Sequence, residues 1–240
     1  MFLFLSACSS TDDFDTSTAE GSFKLAEKFE TDGRFEEALT QFNDTRTKFP
    51  YSKLASESTL RIAEIHFKRE SYVESEAVYL NFKDLHPRHP QIARVTFRLG
   101  ESVYKQLPET IDRDLSVANK AIFYFDEILN TYPNTEFAAE SLKLKNEIIS
   151  MLAEKEYYIA QFYFIRKKYD SALGRFEHLL EKFSGKGLNS KALFGAMVSA
   201  YEVKDKPKAK RFYDELARLH KDSDEHKQAV SFAKDKTIGQ

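Results

Sequence analysis

A spacing that occurs five times along the chain restricts its fold more than any other feature. Each time, a small or short residue is followed four residues later by a bulky ring, and eight residues after that by a position expected to end a helix. The five sets are Ala38/Phe42/Pro50, Ser75/Tyr79/Pro87, Ala121/Phe125/Pro133, Ala172/Phe176/Ser184 and Ala209/Tyr213/Lys221. Residues four apart share one helix face, where a small side chain lets a neighbouring helix approach and the ring fills the space beside it. The spacing therefore predicts an array of helical repeats.

A first helix precedes this segment within the repeat. Three repeats carry an alanine twelve residues before the small residue, at Ala26, Ala63 and Ala160. A tight turn is expected between the two helices, most clearly at Asp32-Gly33-Arg34. The pattern resembles the tetratricopeptide repeat, although the chain contains no tryptophan and only Gly100 matches the glycine of its first helix. The resemblance implies an all-α, right-handed superhelical solenoid of about five helix pairs.

The array is irregular, which predicts how the chain is organised. The five small residues are 37, 46, 51 and 37 positions apart, so we expect an insertion at 107–114 and a lengthened helix from 136 to 153. We predict a lipoprotein signal remnant and flexible tether at 1–20, repeats one to three at 21–135, the long helix and repeats four and five at 136–234, and a tail at 235–240. Insertions in repeat arrays often lie on the working side.

Composition and motifs argue against catalysis and against nucleic-acid binding. The formal net charge is −2, and the 36 Lys and Arg residues are interspersed with 38 Asp and Glu residues. A general nucleic-acid binder is therefore not expected. The segment 184–187 lacks the glycine that a phosphate-binding loop needs five residues before its lysine. His86 and His89 have no nearby cysteine or suitably placed carboxylate for a metal. We therefore expect no enzyme activity, no cofactor and no metal site.

The first residues contain a candidate lipid-attachment signal. An apolar run at 2–5 leads into Leu5-Ser6-Ala7-Cys8, which resembles the lipobox of bacterial lipoproteins, in which the cysteine carries the acyl anchor. Cys8 is the only cysteine, so no internal disulfide can form. Since neither Lys nor Arg precedes the run, we expect the natural start to lie upstream or the sequence to be trimmed. The resemblance implies anchoring at the periplasmic face of the outer membrane of a Gram-negative bacterium; an incidental free cysteine is the alternative.

From about residue 23 to 234 the chain resembles the BamD family of lipoproteins, which serve the machinery that inserts β-barrel proteins into the outer membrane. The segments that carry the resemblance are 26–38, 48–52, 112–114 and 132–138. It implies a non-catalytic scaffold with two working ends. The N-terminal repeats would receive the aromatic C-terminal signal of an unfolded barrel protein, and the C-terminal repeats would bind a POTRA domain of BamA. Other Bam lipoproteins would be further partners.

The first helices of repeats one to three predict a groove for the client peptide. If Ala26, Ala63 and Gly100 are equivalent, apolar and acidic side chains recur on the concave face and could hold an extended strand. The predicted groove residues are Phe23, Glu27, Leu60, Glu64, Phe67, Phe97, Glu101 and Tyr104. The alternative is that the rings pack between neighbouring helices.

A second set of residues is predicted to bind a partner protein. Arg175 and Glu177 should project from the second helix of repeat four, near Lys167 and Lys168, and an arginine there could bind a partner carboxylate in a bidentate manner. Arg113 and Asp114, in the insertion, could present charges to a partner. The alternative is that Arg113 is paired within the chain and that Asp112 and Asp114 cap the following helix.

A different class of function is also compatible with a lipid-anchored repeat array. Repeat proteins associated with the Tol system act in cell-envelope constriction or with peptidoglycan enzymes. Such proteins typically carry a coiled coil before the repeats, and no sustained heptad is present here. The Tol-associated type of adaptor is therefore the second hypothesis.

Overall fold

A computed structural model describes residues 14–236, which fold into α-helices joined by short turns and loops. The helices are α1 (Ala19–Thr31), α2 (Phe35–Lys48), α3 (Lys53–Lys68), α4 (Tyr72–Leu85), α5 (Ile92–Tyr104), α6 (Ala118–Thr131), α7 (Phe137–Ile165), α8 (Tyr169–Lys182), α9 (Asn189–Glu202), α10 (Lys206–Leu219) and α11 (Asp224–Lys236). Helices α1 to α10 form five consecutive pairs, and α11 follows them. The predicted all-α array of about five helix pairs is confirmed.

Four of the five pairs use the same three-residue turn. The middle residue of each turn adopts a positive φ, at Gly33 (74°), Glu70 (60°), Lys167 (58°) and Lys204 (66°). Its N–H and that of the next residue donate to carbonyls of the preceding helix, as at Gly33 to Glu30 and Arg34 to Phe29. This arrangement satisfies carbonyls that the helix end would otherwise leave unpaired. Only the first turn places a glycine where the left-handed backbone favours one.

The second helix of every pair ends two residues before the position that the spacing predicts. Helix α2 ends at Lys48, before Pro50, and α10 ends at Leu219, before Lys221, so the rule holds even where proline is absent. The residue after each end carries a ring and donates its N–H to the carbonyl four residues earlier. These residues are Phe49, His86, Tyr132, Phe183 and His220. This ring is a further repeat position, which the spacing analysis did not identify.

The small and bulky positions of the repeat form the core. Ala38, Ser75, Ala121, Ala172 and Ala209 are fully buried, and so are the rings of Phe42, Tyr79, Phe125 and Phe176. Each buried ring of this size stabilises the fold by about 1.5–3 kcal/mol relative to exposure. Tyr213 differs, because it is only partly buried and packs beside the core of the last helices.

The chain divides into two compact units. The first runs to Gln106 and includes Phe123–Ala138, and the second comprises Leu107–Ile122 and the chain from Ala139 onward. The insertion separates α5 from α6 by residues 105–117. The long helix α7 has 29 residues and continues to Ile165, beyond the predicted end at 153. The array itself begins at Ala19 and reaches Lys236, slightly beyond the predicted limits of 21 and 234. Over residues 14–236 we find no helix with the length and apolar character needed to cross a membrane.

Candidate functional site

Three apolar side chains of the predicted peptide groove are buried in the first unit. Phe23 packs edge-on against Phe42 with a ring-centre distance of 5.3 Å, and Phe97 stacks on Phe137 at 5.2 Å. Leu60 is also buried. Because these side chains fill the space between helices, they cannot contact a peptide at the surface. The prediction that Phe23, Leu60 and Phe97 line a groove is therefore wrong, and the packing alternative is correct.

Two acidic members of the predicted groove pair with arginines of the same unit. Arg94 donates to Glu64, and Arg98 donates to Glu101 at 2.8 Å. The guanidinium of Arg98 also lies 5.0 Å from the centre of the Phe67 ring. The sequence pattern predicted the acids but not these arginines. As a result, the surface has paired charges of both signs, where repeated acids alone were expected.

The third acidic member, Glu27, lies at the edge of an ion-pair cluster around the buried carboxylate of Glu30. Its carboxylate is 4.0 Å from Arg61, but Arg61 lies closer to Glu30, at 2.6 Å. Lys68 approaches the other Glu30 oxygen at 2.6 Å. Glu30 is buried, so the two cations compensate a carboxylate that would be costly to bury alone. The cluster links α1 to α3.

Glu64 and Phe67 meet at a small cavity between α3, α4 and α5. Its volume is about 190 Å³, and it is lined by Glu64, Phe67, Lys68, Tyr79, Arg94 and Arg98. Burial, and to a lesser degree the charge of Glu64, raise the pKa of Tyr79 above its ordinary value, so its hydroxyl stays protonated. Tyr104 is partly buried at the end of α5 and does not line this cavity.

In the second unit, Arg175 interacts with the chain itself. Its Nη1 lies 3.3 Å from one oxygen of Glu156 and donates to both oxygens, and His178 Nδ1 is 3.4 Å from the same carboxylate. Glu156 is buried, whereas Arg175 is exposed. Glu177 pairs with Lys208 at 3.1 Å. Arg175 thus compensates a buried charge through Nη1 while its side chain stays exposed, and a contact with a partner carboxylate stays a prediction.

The predicted lysines lie in the turn between α7 and α8, where both are exposed. Beside them is a surface that the sequence analysis missed. Tyr158, Phe162 and Ile165 are exposed large apolar side chains spaced four and three residues apart on α7, and they lie on one helix face. We call these three residues the α7 stripe. The signal could have been found, because their spacing is helical while their neighbours 160 and 163 belong to the core.

The insertion loop is organised by local hydrogen bonds. Asp114 accepts hydrogen bonds from the Ser116 hydroxyl at 2.7 Å and the Ser116 N–H at 2.9 Å. The hydroxyl bond, followed by the backbone bond, lowers the pKa of Asp114. Arg113 is exposed, and its carbonyl accepts a hydrogen bond from Lys155. Asp114 thus closes a turn before α6 and does not cap that helix, which begins at Ala118, and a partner contact through this loop stays a prediction.

Two further expectations concern lipid and metal. Cys8 lies outside the described residues. Between residues 14 and 236, no group of three or more His, Cys, Asp or Glu side chains is arranged to hold a metal ion.

Two solved structures are partly similar to this chain. The TPR2AB domain of yeast Sti1 is 13% identical, with 92% of this chain and 84% of that chain covered and a TM-score of 0.47. A structure of pilF from Pseudomonas aeruginosa is 16% identical, covers 91% of this chain and 83% of that chain, and has a TM-score of 0.40.

Sequence relatives are more informative. The chain is 28% identical to the outer membrane protein assembly factor BamD of Caulobacter vibrioides over 70% of its own length, and this match spans 55% of that relative. Its identity to BamD of Neisseria gonorrhoeae is 24%, covering 85% of this chain and 82% of the relative. The family described as YfiO, outer membrane lipoprotein, matches residues 16–216. This match spans nearly the whole array of paired helices, and the chain therefore belongs to the YfiO family of outer membrane lipoproteins.

Proposed function

We propose that this chain is an outer membrane protein assembly factor that acts as a non-catalytic scaffold in the β-barrel assembly machinery. The observation that carries the proposal is the family match over residues 16–216, because it begins before α1 and ends within the last turn of α10. The relatives named as assembly factors support the same function over the Tol-associated alternative. A repeat array suits this role, since stacked helix pairs expose extended surfaces for protein partners.

The second unit is the proposed site for BamA, through one of its POTRA domains. The three large apolar residues of the α7 stripe are 43–72% exposed to water, which favours burial against a partner. Arg166, Lys167 and Lys168 follow the stripe directly, so a surface with exposed carboxylates beside an apolar patch would fit it. The guanidinium of Arg166 already lies 3.7 Å from the centre of the Phe162 ring.

The first unit is the proposed site for the C-terminal signal of an unfolded barrel protein. Its surface near Glu64, Phe67 and Arg98 combines a ring, an acid and a guanidinium in a concave site. Such a site offers polar groups that can bind a peptide backbone and an aromatic surface for a side chain. Other Bam lipoproteins would bind elsewhere on the array.

We further propose that Cys8 carries the lipid anchor, which holds the array at the periplasmic face of the outer membrane. Mass spectrometry of the mature N-terminus tests this part directly. An acylated cysteine is expected. An unmodified chain that retains residues 1–7 would contradict it.

The proposed function is tested by purifying the tagged full chain from detergent-solubilised membranes of the bacterium that encodes it. We expect to recover BamA, and depletion of the chain should lower the amounts of folded barrel proteins in the outer membrane. The same tag on an unrelated lipoprotein provides the control. Recovery of Tol or peptidoglycan proteins without BamA, together with normal barrel levels after depletion, would replace this proposal with the Tol-associated one.

A further inference from the structure

The hydroxyl of Tyr79 is a buried hydrogen-bond donor without an acceptor. The side chain is 2% exposed, and its Oη finds no hydrogen-bond partner among residues 14–236. Leaving a buried polar group unpaired costs about 1–3 kcal/mol. An unpaired hydroxyl in a core position therefore calls for an explanation.

Packing does not explain the hydroxyl. The equivalent ring positions of three other repeats hold Phe42, Phe125 and Phe176, which are fully buried and serve the same core. A phenylalanine at position 79 would fill the same space without the unpaired oxygen. The second repeat thus has a polar atom that its architecture does not need.

The unpaired hydroxyl belongs to a side chain that lines the cavity between α3, α4 and α5. With a volume of about 190 Å³, the cavity has room for roughly one amino-acid residue. Phe67 supplies its apolar wall, with Arg98 above the ring. Arg94 and Lys68 line it too, and their side chains are 45% and 55% exposed, so both can shift to admit a ligand.

The charges around the cavity favour an uncharged ligand group. Each cation that lines it already has a carboxylate partner within the chain. The pairs are Arg94 with Glu64, Arg98 with Glu101 and Lys68 with Glu30. A ligand carboxylate would have to compete with these acids for the cations, whereas a neutral carbonyl that accepts from the hydroxyl does not compete for them.

We infer that this cavity binds the main-chain carbonyl of an extended peptide, which accepts a hydrogen bond from Tyr79 Oη, while a neighbouring apolar side chain of the peptide packs on Phe67. The inference rests on the proposed function, because the peptide is then a strand of a client barrel protein. It differs from that proposal in naming the recognised group. An internal carbonyl serves as well as a chain end, so a free C-terminal carboxylate is not required.

The test compares Tyr79→Phe with the parent in the purified full chain. The probe is a fluorescein-labelled peptide of about ten residues that matches a membrane strand ending in an aromatic residue, prepared as the free acid and as the amide. Fluorescence anisotropy should show about five- to tenfold weaker binding to the variant, as expected for one lost hydrogen bond. The two forms of the peptide should bind the parent with equal affinity.

Thermal unfolding distinguishes binding from a structural role. Because Tyr79→Phe removes an unpaired polar atom, the free variant should melt at the same or a higher temperature than the parent. Tyr213→Phe removes the hydroxyl at the equivalent position of the fifth repeat and is the matched control, which should leave peptide affinity unchanged. Lower stability of Tyr79→Phe would show that the hydroxyl has a structural partner and would overturn the inference.

Two binding results would also overturn it. Unchanged affinity of Tyr79→Phe would show that the hydroxyl does not contact the peptide, and a tenfold preference for the free acid would show that a carboxylate is recognised. Neither result affects the proposed function as long as the parent chain still recovers BamA from membranes. If the parent chain binds the peptide but does not recover BamA from membranes, the proposed function is contradicted, whereas the peptide site is not.

Discussion

The two units place chemically different side chains at the same position of the repeat. Two residues before the small residue of its first helix, the first unit has basic side chains, at Lys24, Arg61 and Arg98. The second unit has Tyr158 at this position, before Ala160. One residue after the small residue, the first unit has Glu27, Glu64 and Glu101, and the second has Gln161. The repeat determines which positions reach the surface, while the side chains placed there decide what that surface can bind.

This difference separates two modes of recognition. In the first unit, ion pairs within the chain hold the charges in place, so the proposed peptide binding would depend on hydrogen-bond geometry and on one ring. In the second unit, Ile165 is 72% exposed, and no comparable side chain of the first unit's first helices is so open. Burying such a surface releases free energy in proportion to its apolar area. The α7 stripe would therefore favour the proposed protein contact of the second unit.

The largest loss of stability is expected in the cores of the two units, where a glycine of one helix lies close to an aromatic ring of another helix. A Cβ on Gly195 would lie 2.3 Å from Phe176 Cζ, and one on Gly100 would lie 2.9 Å from Phe125 Cε1. Both rings are fully buried and cannot easily move. We expect Gly195→Ala to lower the free energy of unfolding by about 3 kcal/mol. Gly100→Ala should cost about 1 kcal/mol, since a smaller overlap is partly offset by the better helix propensity of alanine.

Chemical denaturation of the two variants measures both values. Equal losses would show that the close approach of helices is no tighter in the second unit than in the first. A smaller loss for Gly195→Ala than for Gly100→Ala would contradict the packing argument altogether.

The next effect concerns partner binding by the α7 stripe. Replacing Tyr158 and Phe162 together by Ser should weaken the affinity for BamA by about 2 kcal/mol, or roughly 30-fold, because central aromatic side chains dominate protein interfaces. The free energy of unfolding should change by less than about 0.5 kcal/mol, since both rings are exposed. Lys24→Ser alters the equivalent position of the first unit and should leave BamA binding unchanged.

Surface plasmon resonance with the purified POTRA domains of BamA would measure the affinity of the double variant and of Lys24→Ser. If the double variant binds as tightly as the parent, the α7 stripe is not the contact. If Lys24→Ser weakens binding equally, the assignment of partners to separate units fails.

The sequence predicted the helices correctly but assigned some of their surface residues wrongly, because a small rotation of a helix changes which residues are exposed. The repeat spacing predicted the helix pairs, the buried alanines and the five helix ends. It placed Leu60 and Phe97 at the surface, although each lies directly before the arginine that is actually there, Arg61 or Arg98. One residue turns a helix by about 100°, so an error of one position exchanges a buried residue for an exposed one. The spacing locates helices along the chain but does not resolve the edge of a buried face.

Long-range ion pairs were beyond the sequence for another reason. Glu30 and its partners Arg61 and Lys68 are far apart in the chain and lie on two helices. Glu156 and Arg175 likewise meet only after α7 and α8 have packed. A charged residue in a helical sequence is usually assigned to the solvent, because charged side chains are rarely buried. Which charged side chains are buried instead depends on how two helices pack, and this cannot be read from one helix.

The buried acids Glu30 and Glu156 also allow the two units to be compared by the stability that each loses when a neighbouring arginine is removed. Arg61→Met removes a cation 2.6 Å from Glu30, whereas Arg175→Met removes one 3.3 Å from Glu156. Removing a cation from a buried carboxylate is destabilising, although Glu30 keeps Lys68 at 2.6 Å and Glu156 keeps His178 at 3.4 Å. After allowance for the partial exposure of both arginines, we expect losses of about 1.5 kcal/mol for Arg61→Met and about 1 kcal/mol for Arg175→Met.

Thermal or urea unfolding of both variants, with Arg61→Lys as the charge-preserving control, provides the measurement. Arg61→Lys should lose less than Arg61→Met. A larger loss for Arg175→Met would mean that Glu156 depends on its cation more than Glu30 does, contrary to the observed distances.

The smallest expected effect tests what the units share. Glu70 in the first unit and Lys204 in the second hold the same left-handed backbone in the same three-residue turn. Because glycine adopts this conformation without steric cost, Glu70→Gly and Lys204→Gly should each raise the free energy of unfolding by about 0.5–1 kcal/mol. Gly33→Ala, the reverse change in the first turn, should lower it by about 1 kcal/mol. Equal gains at both sites would show that the turn geometry is a property of the repeat and independent of the surface beside it, whereas gains of opposite sign would show that side-chain contacts, and not the backbone, decide which residue each turn tolerates.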